Sequence, residues 1–207
     1  MSEVNNSVLE RAQRLFEANQ FLGLVALFEG LPVPEVRQLA RQDKLRLYFI
    51  VASAYLRVGK VPAASRFANM LVKACPDDLG VLHLAAQASC GMAEYDRAIH
   101  YASRYFEALE AGHFSQKFNS AEVLQSEVYR LWGRALKESS QPDEAAVKFR
   151  KAIEAKSDDS LAYLDLSHFY FQVKKYGEAG EILAQGFKKA PQSEELLKLA
   201  ESFCATR

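Results

Sequence analysis

Apolar residues recur along most of the chain at the three-to-four-residue spacing of helices that bury one face. Leu9, Ala12 and Phe16 follow this spacing near the N-terminus, and Leu196 and Leu199 follow it near the C-terminus. Runs that alternate apolar and polar residues, as β-strands do, are missing, and the chain has only 6 prolines and 10 glycines. The pattern therefore predicts an all-α protein.

Four segments repeat one skeleton of large and small residues with a 34-residue step. They span residues 45–78, 79–112, 126–159 and 160–193, and residues 113–125 separate the two pairs. Small residues at the eighth and twentieth positions allow two antiparallel helices to approach closely. Large residues at the fourth, eleventh and twenty-fourth positions fill the space around that contact. Each predicted helix pair must stack on its neighbours to bury its apolar face.

This skeleton resembles the tetratricopeptide repeat (TPR) family. The resemblance rests on Tyr48, Ala52, Tyr55, Ala64, Ala68 and Pro76 in the first segment, on Leu82, Ala86, Tyr95 and Ala98 in the second, on Tyr129, Trp132, Gly133, Leu136, Ala145 and Phe149 in the third, and on Tyr163, Ser167, Tyr170, Tyr176, Ala179, Gly186 and Pro191 in the fourth. The second segment departs from the pattern, because Ala102 and Tyr105 exchange the expected large and small positions. The resemblance implies a right-handed α-solenoid of antiparallel helix pairs.

The remaining segments extend this predicted solenoid. Residues 1–44 predict a divergent N-terminal helical hairpin or cap, broken at Pro32 and Pro34. The segments 45–112 and 126–193 hold two repeats each, residues 113–125 form an insert, and residues 194–207 form a C-terminal capping helix. We expect one continuous solenoid domain. In the insert, Phe114 and Phe118 either pack back onto the second repeat or form a contact patch.

Composition narrows the function classes. Lys and Arg together number 26, as do Asp and Glu, so the net charge is zero and nucleic acid is not an expected partner. The N-terminus has no apolar core of a secretory signal, and no segment is apolar enough for membrane insertion. Together with three scattered cysteines, these features predict a cytoplasmic protein. Four dispersed histidines predict no metal site, and no motif predicts a cofactor.

In TPR solenoids the first helix of each pair lines a concave groove, and the resemblance implies the same here. The implied partner-binding residues are Phe49, Ile50, Ser53, Arg57, His83, Leu84, Gln87, Arg130, Leu131, Arg134, Lys137, Leu164, His168 and Phe171. The apolar members of this set would be anchors for a partner.

Three cations share one predicted helix face, because Arg130, Arg134 and Lys137 are spaced at i, i+4 and i+7. Their mutual repulsion would be relieved by an acidic group of a partner. The alternative is that acidic residues of the chain itself, Glu127, Glu138 or Asp165, already neutralise them. The two-carboxylate clamp with which TPR co-chaperones hold heat-shock protein tails is disfavoured, because the required Lys, Asn and Arg positions are not occupied in either register.

The sequence therefore predicts a non-enzymatic protein-protein interaction module that binds a partner protein or peptide segment in its groove. Adaptor, assembly factor and dedicated chaperone are the roles we consider. The alternative is a structural subunit that self-associates as a homo-oligomer or builds a larger complex, with the groove filled by another protomer or by the chain's own N-terminal hairpin. Convergent polar groups of an enzyme active site are not evident.

Overall fold

The computed structural model describes residues 3–113 and 125–205, which fall into two compact units, Met1–Glu122 and Val123–Arg207. The described residues contain helices and no strand, which confirms the all-α prediction. The helices of unit 1 are α1 (Glu3–Glu17), α2 (Phe21–Glu29), α3 (Val33–Gln38), α4 (Arg41–Arg57), α5 (Val61–Ala74), α6 (Leu79–Gly91) and α7 (Tyr95–Glu110). Those of unit 2 are α8 (Gln125–Glu138), α9 (Pro142–Ala155), α10 (Ser160–Gln172), α11 (Tyr176–Lys189) and α12 (Glu194–Ala205).

Each predicted 34-residue segment forms one pair of helices. The pairs are α4–α5, α6–α7, α8–α9 and α10–α11, and the two helices of each pair pack on one another. The small residues at the eighth and twentieth positions lie buried where the helices meet. This set consists of Ala52, Ala86, Gly133, Ser167, Ala64, Ala98, Ala145 and Ala179. The skeleton seen in the sequence therefore marks the helix contacts of each pair.

The turn inside each pair has the same geometry every time. One residue takes a left-handed backbone conformation, and the following backbone N–H donates to a carbonyl oxygen five residues earlier, the bond of a Schellman motif. The left-handed residues of the four repeats are Gly59, Ala93, Ser140 and Lys174, each fifteenth in its repeat. Asn19 between α1 and α2 has the same conformation, with Gln20 N–H donating to Leu15 O at 2.8 Å. The N-terminal hairpin therefore turns as the repeats do.

The N-terminal hairpin packs on α4 and is tied to it by polar contacts as well as by apolar ones. Glu29 at the end of α2 accepts hydrogen bonds from the Tyr55 hydroxyl at 3.2 Å and from Lys60 Nζ at 2.8 Å. Burial and the nearby Glu29 carboxylate raise the pKa of Tyr55 to about 12. Helix α2 ends at Glu29, ahead of the two prolines, and both lie at the start of the short α3, where Pro32 is the N-cap and Pro34 is in the first turn.

The second repeat accommodates its exchanged residues. Ala102 is fully buried and Tyr105 is 2% exposed, so the large side chain enters the core from the position where a small one was expected. Burial raises the pKa of Tyr105 to about 12. In the second repeat the large core side chain therefore stands three residues later on α7 than in the family pattern, and it is still buried.

The last helix, α12, packs on α10 and α11. Leu196 is fully buried against Tyr163 and Leu183, and the Phe203 ring stacks on Phe171 with centroids 4.1 Å apart. This is the packing expected of a capping helix. Phe114, Phe118 and most of the 113–125 insert lie outside the described residues.

Candidate partner-binding face

A charged cluster joins the first helices of the two repeats in unit 2. Arg130 Nε on α8 donates to Asp165 Oδ2 on α10 at 2.6 Å. Arg134 Nη2 donates to both oxygens of the same carboxylate, at 2.7 Å and 3.0 Å. At the start of α10, Asp159 Oδ2 accepts from Ser126 Oγ at 2.7 Å and lies 3.9 Å from Arg130 Nη1. Asp165 therefore holds two arginines of the neighbouring helix.

Burial divides this cluster into a closed part and an open part. The side chains of Arg130 and Asp165 are each 10% exposed, whereas that of Arg134 is 47% exposed. Arg130 is thus an internal partner of Asp165 and Asp159. Arg134 is anchored by Asp165 but still presents half of its side chain to solvent.

One turn further along the same face lies a second polar group of residues. Lys137 Nζ donates to Gln172 Oε1 at 3.3 Å and also lies 2.9 Å from Glu138 Oε1. The amide nitrogen of Gln172 lies 3.5 Å from Nε2 of His168, which is exposed. Burial, together with the charges of Lys137 and Arg134, lowers the pKa of His168, and Asp165 partly offsets this. We call Arg134, Lys137, His168 and Gln172 the open face.

Five of the implied groove residues are not open to solvent. Phe49, Ile50, Leu84, Leu131 and Arg130 are all buried, so the expectation that they offer exposed groups to a partner is wrong. They occupy the fifth and sixth positions of their repeats. The first helices of neighbouring repeats contact one another, α4 with α6 and α8 with α10. Phe49 and Leu84 belong to one core cluster of α4, α5 and α6, whereas Ile50 belongs to the cluster that α4 forms with α1 and α2.

The other implied groove residues are at least partly accessible. Arg57 is exposed, while Ser53, His83, Gln87 and Leu164 are half-buried. Ser53 Oγ donates to Phe49 O at 2.9 Å, which occupies its hydroxyl within α4. Leu164 packs against the cluster of α10–α12, and Phe171 is half-buried beneath Phe203. The structure therefore brings Arg134, Lys137 and His168 together on one face. Of the implied unit 1 residues it buries Phe49, Ile50 and Leu84 and leaves the other four at least partly accessible.

Sequence reasoning missed two members of the cluster, Asp159 and Ser126. Asp159 is the N-cap of α10, where its carboxylate accepts from Leu161 N–H at 3.1 Å. Asp78 caps α6 in the same way at the equivalent position of the first repeat. An Asp at the last position of a repeat is thus a sequence signal that the first helix of the following repeat begins there. Ser126, the first residue of the preceding repeat, contacts the same capping Asp159.

In residues 3–113 and 125–205, no group of three or more potential ligands is placed to bind a metal ion. No helix in that part of the chain combines the length and the apolar character needed to cross a membrane.

Helix pairs that repeat every 34 residues and stack through their first helices define an α-helical repeat protein, a class that builds extended binding surfaces. The sequence model of the tetratricopeptide repeat family matches residues 136–202. Residues 136–202 thus match the tetratricopeptide repeat family, and the chain has the fold of a tetratricopeptide-repeat solenoid.

Solved structures with the same fold cover most of the chain at low sequence identity. MamA from Desulfovibrio magneticus RS-1, residues 41 to the end, aligns with a TM-score of 0.70 and 13% identity, covering 94% of this chain and 99% of that one. MamA MSR-1 aligns with a TM-score of 0.63 and 16% identity, covering 89% and 95%. The Cut9–Hcn1 hetero-tetramer of the APC/C aligns with a TM-score of 0.73 and 12% identity, covering 96% of this chain and 36% of that one. No curated protein matches the sequence significantly.

Proposed function

We propose that this chain is a non-enzymatic protein-interaction module that holds an acidic segment of a partner protein on the open face of α8 and α10. The observation that carries this proposal is the separation of charge across the cluster. The Asp165 side chain is only 10% exposed, whereas that of Arg134 is 47% exposed, and Arg134 belongs to the same open face as Lys137 and His168. A carboxylate from a partner would meet cations before it met Asp165.

Charge complementarity supports an acidic partner in a second way. Burial is the largest cause that lowers the pKa of His168. The charges of Lys137 and Arg134 lower this pKa further and Asp165 partly offsets them, so the charges around the imidazole make a positive local field. Glu138 sits at the edge of this field and shares Lys137 with Gln172. Guanidinium groups favour hydrogen bonds to carboxylates. Arg134 contacts Asp165 through Nε and Nη2 and its side chain is 47% exposed, so a partner carboxylate can reach it from solvent. Adaptor, assembly factor and dedicated chaperone are three uses of such a surface.

The test compares binding of two synthetic peptides, hexaglutamate and hexalysine, to the full chain by isothermal titration calorimetry at low salt. We expect hexaglutamate to bind and hexalysine not to bind. Arg134→Gln should weaken hexaglutamate binding about tenfold or more, because a charge-assisted hydrogen bond contributes about 1.5–3 kcal/mol. Lys188→Gln removes an exposed charge from the end of α11 and is the matched control, with affinity unchanged. Equal affinity of wild type and Arg134→Gln would overturn the proposal.

Self-association is the second candidate, and a specific observation favours it. Leu22 is 75% exposed and Val33 is 61% exposed, and both belong to the N-terminal region that precedes the first repeat. Apolar side chains with this exposure would be removed from water if a second copy of the chain covered them, which favours association. Light scattering at increasing concentration tests this candidate: a rise in mass that Leu22→Ser and Val33→Ser abolish would support it, and a constant monomer mass would exclude it.

A further inference from the structure

On the open face, polar contacts link Lys137 to Gln172 and Gln172 to the imidazole of His168. Lys137 Nζ donates to Gln172 Oε1 at 3.3 Å, and an ammonium group can only donate. This contact orients the Gln172 amide with its oxygen toward α8. Its nitrogen, also a donor, is thereby turned toward Nε2 of His168, 3.5 Å away.

That orientation suits a neutral imidazole. Nε2 can accept from the Gln172 amide only when it carries no proton, so the ring proton is assigned to Nδ1. The charged groups that act on the imidazole in the described part of the chain are Lys137 and Arg134 from α8 and Asp165 from α10 itself. Two cations oppose protonation, and one partly buried acid favours it. The resting state is therefore a neutral His168 with Lys137 engaged by Gln172 and Glu138.

Protonation of His168 changes the whole chain of bonds. The imidazolium donates from Nε2, so it faces the Gln172 amide group donor to donor. If the amide turns its oxygen to the imidazolium, its nitrogen faces Lys137 and that hydrogen bond is lost. The result is an open face with three cations, one of them newly charged and another with a hydrogen bond released. This state is costly by itself, because like charges crowd together, but an incoming carboxylate removes that cost.

We propose that the open face binds its acidic segment together with a proton on His168, so that affinity rises as the pH falls below neutrality. This inference rests on the proposed function, since it concerns the same site and the same partner chemistry. The site is then more than a static charge contact, because the bound state holds one more ionised group than the free state.

The sign and size of the effect follow from linkage. A bound carboxylate favours the imidazolium and raises the pKa of His168 in the complex above its value in the free protein. Affinity is therefore constant above both pKa values and increases as the pH falls through them. A rise of about one pKa unit on binding gives a tenfold gain in affinity at the acidic end of the window.

The experiment measures the Kd of hexaglutamate for the full chain at pH 8.0, 7.0 and 6.0. It is repeated in two buffers of different ionisation enthalpy to count the protons taken up. The glutamate side chains titrate mainly below this window. We expect wild type to bind several-fold more tightly at pH 6.0 than at pH 8.0, with uptake of a fraction of a proton. His168→Gln should bind with a Kd that does not change with pH and with no proton uptake from this site.

A matched control separates His168 from the other histidines. His100 is exposed on α7, and His100→Gln should keep the full pH dependence of wild type. A wild-type Kd that is flat from pH 8.0 to 6.0, or a His168→Gln variant that keeps the wild-type slope, overturns the proton linkage. Flat binding that still depends on Arg134 leaves the proposed function standing and removes only this inference. Absence of hexaglutamate binding at every pH overturns both.

Discussion

The Phe149 ring on α9 lies directly over Gly133 on α8. A Cβ atom at position 133 would come within 2.7 Å of Phe149 Cε1, closer than non-bonded carbon atoms approach. Phe149 is 1% exposed, so the ring is enclosed by the core on all sides that solvent could reach. The glycine is therefore required for the contact between these two helices.

Gly133→Ala should destabilise unit 2 by about 1–3 kcal/mol, because overpacking forces side chains off their preferred rotamers and shifts the backbone. Urea unfolding followed by the fluorescence of Trp132, the single tryptophan of the chain, reports on this unit. Gly180→Ala is the matched control. Nothing lies within 4 Å of its new Cβ, and alanine is the better helix former, so this variant should gain up to about 1 kcal/mol. Equal stability of the two variants would show that Phe149 does not constrain position 133.

Ala93→Gly should stabilise the turn between α6 and α7 by about 0.5 kcal/mol. Ala93 has a φ of 58°, a conformation that costs an L-residue about 1–2 kcal/mol, and the gain is reduced by the greater freedom of glycine in the unfolded chain. Gly59→Ala at the equivalent turn is the reverse change, and it should cost about 1 kcal/mol even though no atom lies within 4 Å of the added Cβ. Urea unfolding followed by circular dichroism at 222 nm measures both. Stabilisation by Gly59→Ala would contradict this account of the turn.

Asp165→Asn should cost about 3 kcal/mol, because it leaves the buried Arg130 guanidinium with Asp159 at 3.9 Å as its remaining acidic contact. The Trp132 fluorescence assay measures this loss. Glu138→Gln removes an acidic group of the same face whose side chain is 44% exposed, and its effect should stay within about 0.5 kcal/mol. A cost for Asp165→Asn no larger than that of Glu138→Gln would mean that Arg130 is stabilised by other contacts.

The pKa of His168 should lie below its ordinary value of 6.5, and NMR titration of the imidazole resonances measures it. Lys137→Gln should raise this pKa, because a cation that opposes protonation is removed. An unfolded chain binds a proton at His168 more readily than the folded one, so the free energy of unfolding falls as the pH drops below about 6.5 toward the folded pKa. Above that window His168 is unprotonated in both states and contributes no pH dependence to the free energy of unfolding. A pKa unaffected by Lys137→Gln would show that the Lys137 charge does not act on the imidazole.

The repeats could be predicted from the sequence because close helix contacts restrict residue size. Alanine, glycine or serine at two positions per repeat, with a large residue opposite, leaves a regular trace, and Gly133 with Phe149 is the clearest case. Tyr105 departs from that trace yet is 2% exposed, since a helix face can bury volume one turn further along. The position of a residue within the repeat therefore predicts the helix pair better than it predicts which side chains fill the core.

The open face was harder to predict, because its residues are defined by contacts between repeats. Position in the first helix placed Leu84 and Arg134 on the same groove, yet Leu84 is 2% exposed and the Arg134 side chain is 47% exposed. The difference depends on how closely neighbouring first helices pack, which the residues of a single repeat do not specify. Asp165 was recognised as an acid that could neutralise the arginines. Its burial, which leaves Arg134 half open, becomes visible only when α8 and α10 are side by side.

The regular turns have a consequence for the kinetics of folding. Each pair closes through bonds between residues a few positions apart, and the polar contacts between α8 and α10 join residues 31 to 35 apart in sequence. Chains whose contacts are this local have a low contact order and fold quickly, since little loop entropy is lost before a contact forms. A helix pair can thus close early during synthesis, before the residues of the following pair have been added.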